Sequence, residues 1–210
     1  MNAAAGWRGF ALAIVAGLAL AAAFAPLQWW WFSVLSPAAL IWLWQKSSPR
    51  RAAWLGAAFA AAMFGAGTYW LYISVHVFGQ APLWLALFLM AALVAIMSAY
   101  YALLGYLAVR WRPRAPLLFA LAWVPGLWAL IEWLRGWLLT GFAWLSLGYA
   151  HIDTPLAGFA PLGGVYLISL LSLFSAGALA ALVSAAGTRR RALLVLLGAL
   201  PFAAGALLSG

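Results

Sequence analysis

Ile131-Glu132-Trp133-Leu134-Arg135-Gly136-Trp137-Leu138-Leu139-Thr140-Gly141-Phe142 places two charged residues inside an apolar run. Glu132 is the only glutamate of the chain. Ionised side chains in hydrocarbon cost from roughly 3 to more than 10 kcal/mol each for Arg, so they persist where they pair or line a site. Glu132 and Arg135 are three residues apart. At about 1.5 Å rise and 3.6 residues per turn they share a helix face, where they can pair. Arg135 stands near the expected end of its span, from which its side chain can snorkel towards headgroups. Two roles follow: a buried ion pair that ties helices together, or an Arg that meets a lipid phosphate or a carboxylate while Glu132 holds the guanidinium in position. A proton relay through Glu132 lacks a second intramembrane acid.

The rest of the chain explains why this run counts as intramembrane. Of 210 residues, 69% are hydrophobic and 6% charged, with a mean hydropathy of +1.07. A soluble domain carries roughly 25% charged residues. The chain is therefore expected to be an all-α membrane protein, since backbone polar groups in lipid must be satisfied within each segment. A spanning helix needs about 20 apolar residues. Seven candidate spans follow, at about 9–26, 30–45, 52–74, 82–109, 116–140, 161–186 and 192–209, forming one transmembrane bundle over residues 1–210. Arg8 and the apolar stretch ending Ala23-Phe24-Ala25 resemble a signal peptide, but Pro26 and a second span follow at once, so an uncleaved span is expected.

Charge sets the expected orientation. Arg8, Lys46, Arg50, Arg51, Arg110, Arg112, Arg114, Arg189, Arg190 and Arg191 all fall on one side when the seven spans are threaded. By the positive-inside rule that side is cytoplasmic, and the C-terminus is periplasmic. The net charge of +9 is thus an orientation signal and no nucleic-acid surface is expected. Fifteen tryptophans suit long membrane boundaries, and Trp29-Trp30-Trp31 falls at the outer one. Ala57, Ala61 and Gly65 recur every fourth residue on the third span, as a close helix contact would require.

Polar and aromatic residues concentrate on the outer side. The apolar loop at about 141–160 is too broken for a span and too apolar for a free loop; a re-entrant or interfacial segment fits it. Asp153 before Thr154-Pro155 reads as a turn or cap. A shorter outer connection carries Tyr69, Trp70, Tyr72, Ser74 and His76, candidates for a groove that takes lipid. His76 and His151 are the only histidines and cysteine is absent. Both histidines read as interfacial polar residues, and neither a metal site nor a cofactor is expected.

These outer segments carry a resemblance. Gly67-Thr68-Tyr69-Trp70-Leu71-Tyr72-Ile73-Ser74 to Phe78-Gly79, then Glu132-Trp133-Leu134-Arg135-Gly136 to Gly141-Phe142-Ala143-Trp144-Leu145 and Gly148-Tyr149, resemble the membrane part of bacterial apolipoprotein N-acyltransferases. Pro155-Leu156-Ala157-Gly158 and Gly163-Gly164-Val165-Tyr166 fit the same pattern. Ala143 and His151 depart from it, where family members commonly have Pro and Gln. The resemblance implies an acyltransferase of the bacterial inner membrane, active on the periplasmic side. Its acyl donor would be a phospholipid and its acceptor the N-terminal amine of a diacylated apolipoprotein, through a thioester. The family's Glu–Lys–Cys triad lies in a nitrilase-like domain after the seventh span. This chain ends at Gly210, has no cysteine and has Lys46 as its sole lysine, so no catalytic residue is expected within it and the chain alone is expected to be inactive. Glu132, Arg135, Trp144, Tyr149, Tyr69, Trp70, Tyr72, Ser74 and His76 are then candidates for a lipid cavity. The alternative is a non-enzymatic membrane scaffold or a small transporter, though a transporter usually shows several intramembrane polar groups or matched broken helices.

Overall fold

Proline and glycine set where the helices stop. The computed structural model describes residues 6–208. Its helices are α1 (Trp7–Ala21), α2 (Phe32–Gln45), α3 (Pro49–Gly67), α4 (Trp70–Phe78), α5 (Leu83–Arg110), α6 (Pro116–Arg135), α7 (Ala160–Val183) and α8 (Thr188–Leu208). No strand occurs among the described residues, and the chain is an all-α membrane protein. Pro49 opens α3 and Pro116 opens α6, where a missing N–H does no harm. Before Pro125 the α6 backbone widens into a π turn over Phe119–Trp123. In α7, Gly163 and Gly164 leave helical geometry, and Gly164 takes φ +61°, which a side chain would disfavour.

The helices differ from seven uniform spans. Leu83–Arg110, Pro116–Arg135, Pro155–Val183 and Thr188–Leu208 are each long and apolar enough to cross a bilayer. α3 and α4 make a fifth span if taken together, but they are bent by 50°. At the bend, Thr68 Oγ1 donates to Phe64 O at 2.6 Å, a backbone-directed bond that favours bending. α1 and α2 have 15 and 14 residues, about 22 Å each against a hydrocarbon core of about 30 Å. α5, with 28 residues, reaches about 42 Å. α6 ends at Arg135, five residues before the expected boundary, and a separate 3₁₀ turn follows over Leu138–Thr140.

The core is aromatic. Trp44, Phe59, Phe64, Tyr101, Phe119 and Trp128 are fully buried. Tyr101 and Trp128 meet edge-on at 5.1 Å and 88°, and Phe59 meets Trp128 at 5.9 Å and 83°, the geometry favoured by ring quadrupoles. α3 and α5 cross so closely that a Cβ on Gly56 would strike Tyr101 O, and one on Gly105 would strike Ala52 O. This contact lies beside the expected Ala57–Ala61–Gly65 stripe. A Cβ on Gly65 would meet nothing within 4 Å, and the stripe is half-buried, because α3 turns its Ala52–Gly56 side to α5. Outward, Trp84, Leu87 and Phe88 of α5 are exposed, a surface suited to lipid rather than water.

Candidate functional site

Glu132 and Arg135 are 1% and 0% exposed, yet no Arg or Lys nitrogen lies within 4.0 Å of a carboxylate oxygen among the described residues. They divide the work of holding the following loop. α6 stops at Arg135, so the guanidinium curls over the chain that comes next. Arg135 Nη1 donates to Phe142 O at 2.8 Å and Trp144 O at 2.6 Å, and Nη2 to Ser146 Oγ at 3.0 Å. Glu132 Oε1 accepts from Leu147 N at 2.9 Å and from Trp128 Nε1 at 3.2 Å. A guanidinium thus satisfies loop carbonyls, through charge-assisted bonds stronger than neutral ones, and a carboxyl oxygen accepts from a loop amide. Arg135 does not snorkel; it also packs over the Phe64 ring at 5.3 Å.

The loop so held is an ordered wall. Phe142 N donates back to Arg135 O at 2.8 Å. Gly141 has φ +80°, and a Cβ there would collide with Gly136 O. Leu145 sits at φ +59°, an uncommon conformation for a bulky residue, and is buried. Two short 3₁₀ turns follow, Leu147–His151 and Pro155–Phe159. Gly148 N donates to Ser169 Oγ of α7 at 2.8 Å, and the backbone there packs directly on Val165 O.

His151 is a second anchor. Fully buried, it differs from the interfacial residue expected from the sequence. Its Nε2 faces Ser33 Oγ of α2 at 2.8 Å and Ser172 Oγ of α7 at 2.9 Å, while Nδ1 faces Thr154 Oγ1 at 3.0 Å. Its ring packs against Trp30 and against Phe202 of α8. Burial pushes the His151 pKa down to about 4, so the imidazole is neutral at physiological pH.

The wall closes a groove of about 970 Å³ at the end of the bundle opposite the basic loops. The Ala21–Gln28 turn forms one side, Gly67, Tyr69 and Trp70 at the α3–α4 bend a second, and Ala143–Leu145 with Tyr149–Thr154 a third. Trp70 and Trp144 approach at 5.3 Å, and Tyr69, Trp144 and Tyr149 are half-exposed or more. Among the described residues Asp153 is the only charged side chain on the lining, so the local field favours a cationic group such as an amine. The volume matches that of small-molecule sites, about 300–1,000 Å³, and the walls are mainly apolar. The arrangement can hold an acyl chain beside a polar rim.

Of the residues singled out in the sequence, Tyr69, Trp70, Trp144 and Tyr149 come together on the groove. Glu132 and Arg135 stand behind its wall. Tyr72, Ser74 and His76 lie on α4 away from the lining: the Tyr72 and His76 rings meet at 5.3 Å, tilted by 34°, His76 Nδ1–H donates to Ala81 O at 2.8 Å, and Ser74 is exposed. Sequence reading missed the Ala21–Gln28 side, Asp153 on the lining, and the Ser33–His151–Ser172 anchor. Hydroxyls within apolar spans were the available signal for that anchor.

The family model for the apolipoprotein N-acyltransferase N-terminal domain matches residues 16–178. A protein of Vibrio parahaemolyticus named apolipoprotein N-acyltransferase is 47% identical over 164 residues, 78% of this chain and 32% of its own length. Proteins of the same name from Coxiella burnetii and Pseudomonas paraeruginosa are 40% and 42% identical, covering 92% and 98% of this chain and 40% of their own lengths. The chain spans about a third of the length of the curated relatives it matches. With most of its residues, including the whole Glu132–Tyr149 block, inside the family match, the chain belongs to the apolipoprotein N-acyltransferase family as its N-terminal membrane domain.

Proposed function

We propose that this bundle is the membrane part of an enzyme of the bacterial inner membrane that moves an acyl chain from a phospholipid to the N-terminal amine of a diacylated apolipoprotein. One observation carries the reading: the aromatic groove is walled by the Glu132–Tyr149 block, which the buried Glu132 and Arg135 side chains hold in place. A rigid apolar cleft costs little ordering when a flexible chain enters it. The groove lies at the end without basic loops, which the positive-inside rule assigns to the periplasm. Asp153 at its rim suits the amine of a headgroup or of the acceptor.

In this reading the chemistry belongs to a nitrilase-like domain of the longer enzyme, since this chain spans about a third of the length of its relatives and its 210 residues offer no cysteine thiolate. There a cysteine thiolate would attack the donor ester carbonyl, forming a thioester and releasing lysophospholipid. The acceptor amine would then attack the thioester, forming the amide and returning the thiol. The bundle's part is to bind and orient the lipid chains.

The test uses the full-length enzyme that carries this bundle. Trp144→Ala combined with Tyr149→Ala should lower acyl transfer to a diacylated lipopeptide about tenfold at limiting phospholipid, equivalent to about 1.4 kcal/mol of lost binding. Saturating phospholipid should recover most of the rate. Unchanged transfer at limiting phospholipid, with the variant folded and in the membrane, would overturn the assignment of the groove. Absence of any acyl transfer by the wild-type enzyme would favour the scaffold or transporter reading.

A further inference from the structure

A second groove lies at the other end of the bundle, away from everything the acyl-transfer reading uses. It has a volume of about 330 Å³ and a mainly apolar lining, along the seam where α2 meets α1 and α7. Leu35, Ala39 and Trp42 supply one wall, Leu12 a second, and Leu179 and Val183 a third. Small residues at Ala38, Ala39 and Ala180 keep the helices' own side chains from filling it. From Leu35 to Trp42 the groove follows α2 for about 10 Å towards the basic end.

We infer that this seam is a binding site for an anionic phospholipid, one acyl chain lying in the groove and its phosphate meeting Lys46. The placement of charge favours that occupant. The Lys46 ammonium stands 4.5 Å from the Trp42 ring centroid, which sets a positive charge at the mouth of the groove. Among the described residues the two acidic side chains lie elsewhere, Glu132 on the Leu147 amide and Asp153 on the opposite groove, so Lys46 is open to a phosphate, which a bilayer offers at the depth where the apolar seam ends. Arg191 adds to the field, with its Nε fixed on Ala185 O at 3.1 Å, two residues beyond Val183. Nothing here depends on acyl transfer, so the two proposals fail separately.

The test is lipid retention by the protein purified in detergent, with phosphatidylglycerol and phosphatidylethanolamine of identical chains as probes. Bound lipid is counted by mass. Wild type should retain phosphatidylglycerol in preference to phosphatidylethanolamine, at one molecule per chain. Lys46→Gln should weaken that retention about fivefold, the usual effect of one Lys near an anionic headgroup. Ala39→Trp fills the groove and should abolish retention of both lipids; Val183→Trp, at an exposed position of the mouth, repeats the test if the first variant fails to fold. Arg50→Gln, another exposed charge of the basic end, should change nothing. Equal retention by Lys46→Gln and wild type would overturn the site. So would an equal loss with Arg50→Gln, since that is the signature of diffuse surface attraction.

Discussion

Arg112 and Arg135 perform the same operation at opposite ends of the bundle, in opposite surroundings. Arg112, in the loop between α5 and α6, donates to the carbonyls of Gln45 at 2.8 Å and Trp44 at 2.6 Å, with a longer bond to Ser47 O at 3.4 Å. It thereby caps the C-terminus of α2, where a cation also complements the helix dipole. It is exposed, so water can take its place. Arg135 makes the equivalent bonds to Phe142 and Trp144 from a position with no exposure. Nothing can replace it there. The difference teaches that the forked guanidinium is a general clamp for loop carbonyls, and that burial decides whether the clamp is optional. At the basic end it trims a helix. At the groove end it holds the shape of a site.

The sharpest way to break this comparison is to delete the buried clamp. Arg135→Ala leaves the buried Phe142 and Trp144 carbonyls and the Ser146 hydroxyl without their donor. It should destabilise the bundle by about 3–5 kcal/mol, read as thermal unfolding in detergent. In the full-length enzyme, acylation should fall even where folded protein remains in the membrane. A loss no larger than that of Arg112→Ala would remove the distinction between the two ends.

The neutral anchor of the same wall gives the next effect, and it has a sign. His151 titrates near 4 in the folded protein, below its unperturbed value of about 6.5. Between these values the unfolded chain binds more protons, so stability is complete above about pH 6.5 and declines as pH falls towards 4. From pH 7 to pH 5 the loss should be about 2 kcal/mol, seen as a falling unfolding temperature. His151→Gln keeps a side chain that can bond the Ser33, Ser172 and Thr154 hydroxyls but does not titrate, so it should flatten that profile. A profile unchanged by the substitution would assign the acid sensitivity elsewhere.

The smallest expected effect is at the exposed clamp. Arg112→Ala should cost about 1 kcal/mol or less, as expected for a solvent-exposed charge at a helix end, and the effect should shrink in high salt. A larger, salt-independent loss would mean that its packing over Phe119 at 5.0 Å outweighs its charge.

Much of the fold was legible before any coordinates. Each apolar run that was expected to span the membrane contains a helix, because hydropathy and Pro or Gly breaks act locally. The lengths were less legible. α6 ends at Arg135 because the following residues find partners in a loop, which no window of hydropathy registers. Four of the nine candidate site residues, Tyr69, Trp70, Trp144 and Tyr149, share the groove. The bend between α3 and α4 turns Tyr72, Ser74 and His76 elsewhere, and that angle follows from how Thr68 bonds the preceding turn.

Composition and charge placement by themselves determined that this is an all-α membrane protein with one basic end, and the Glu132–Tyr149 block pointed to its family. These are sums and short spacings, readable along one dimension. Only the tertiary structure decided what Glu132 and Arg135 do. Their three-residue spacing allowed an ion pair, but each found a partner in the returning loop, a carbonyl for the guanidinium and an amide for the carboxyl oxygen. The His151 anchor joins residues 118 positions apart, and the groove it supports is made from three separated segments. Such sites depend on where the backbone returns, which is set by packing across the whole bundle rather than by any local pattern.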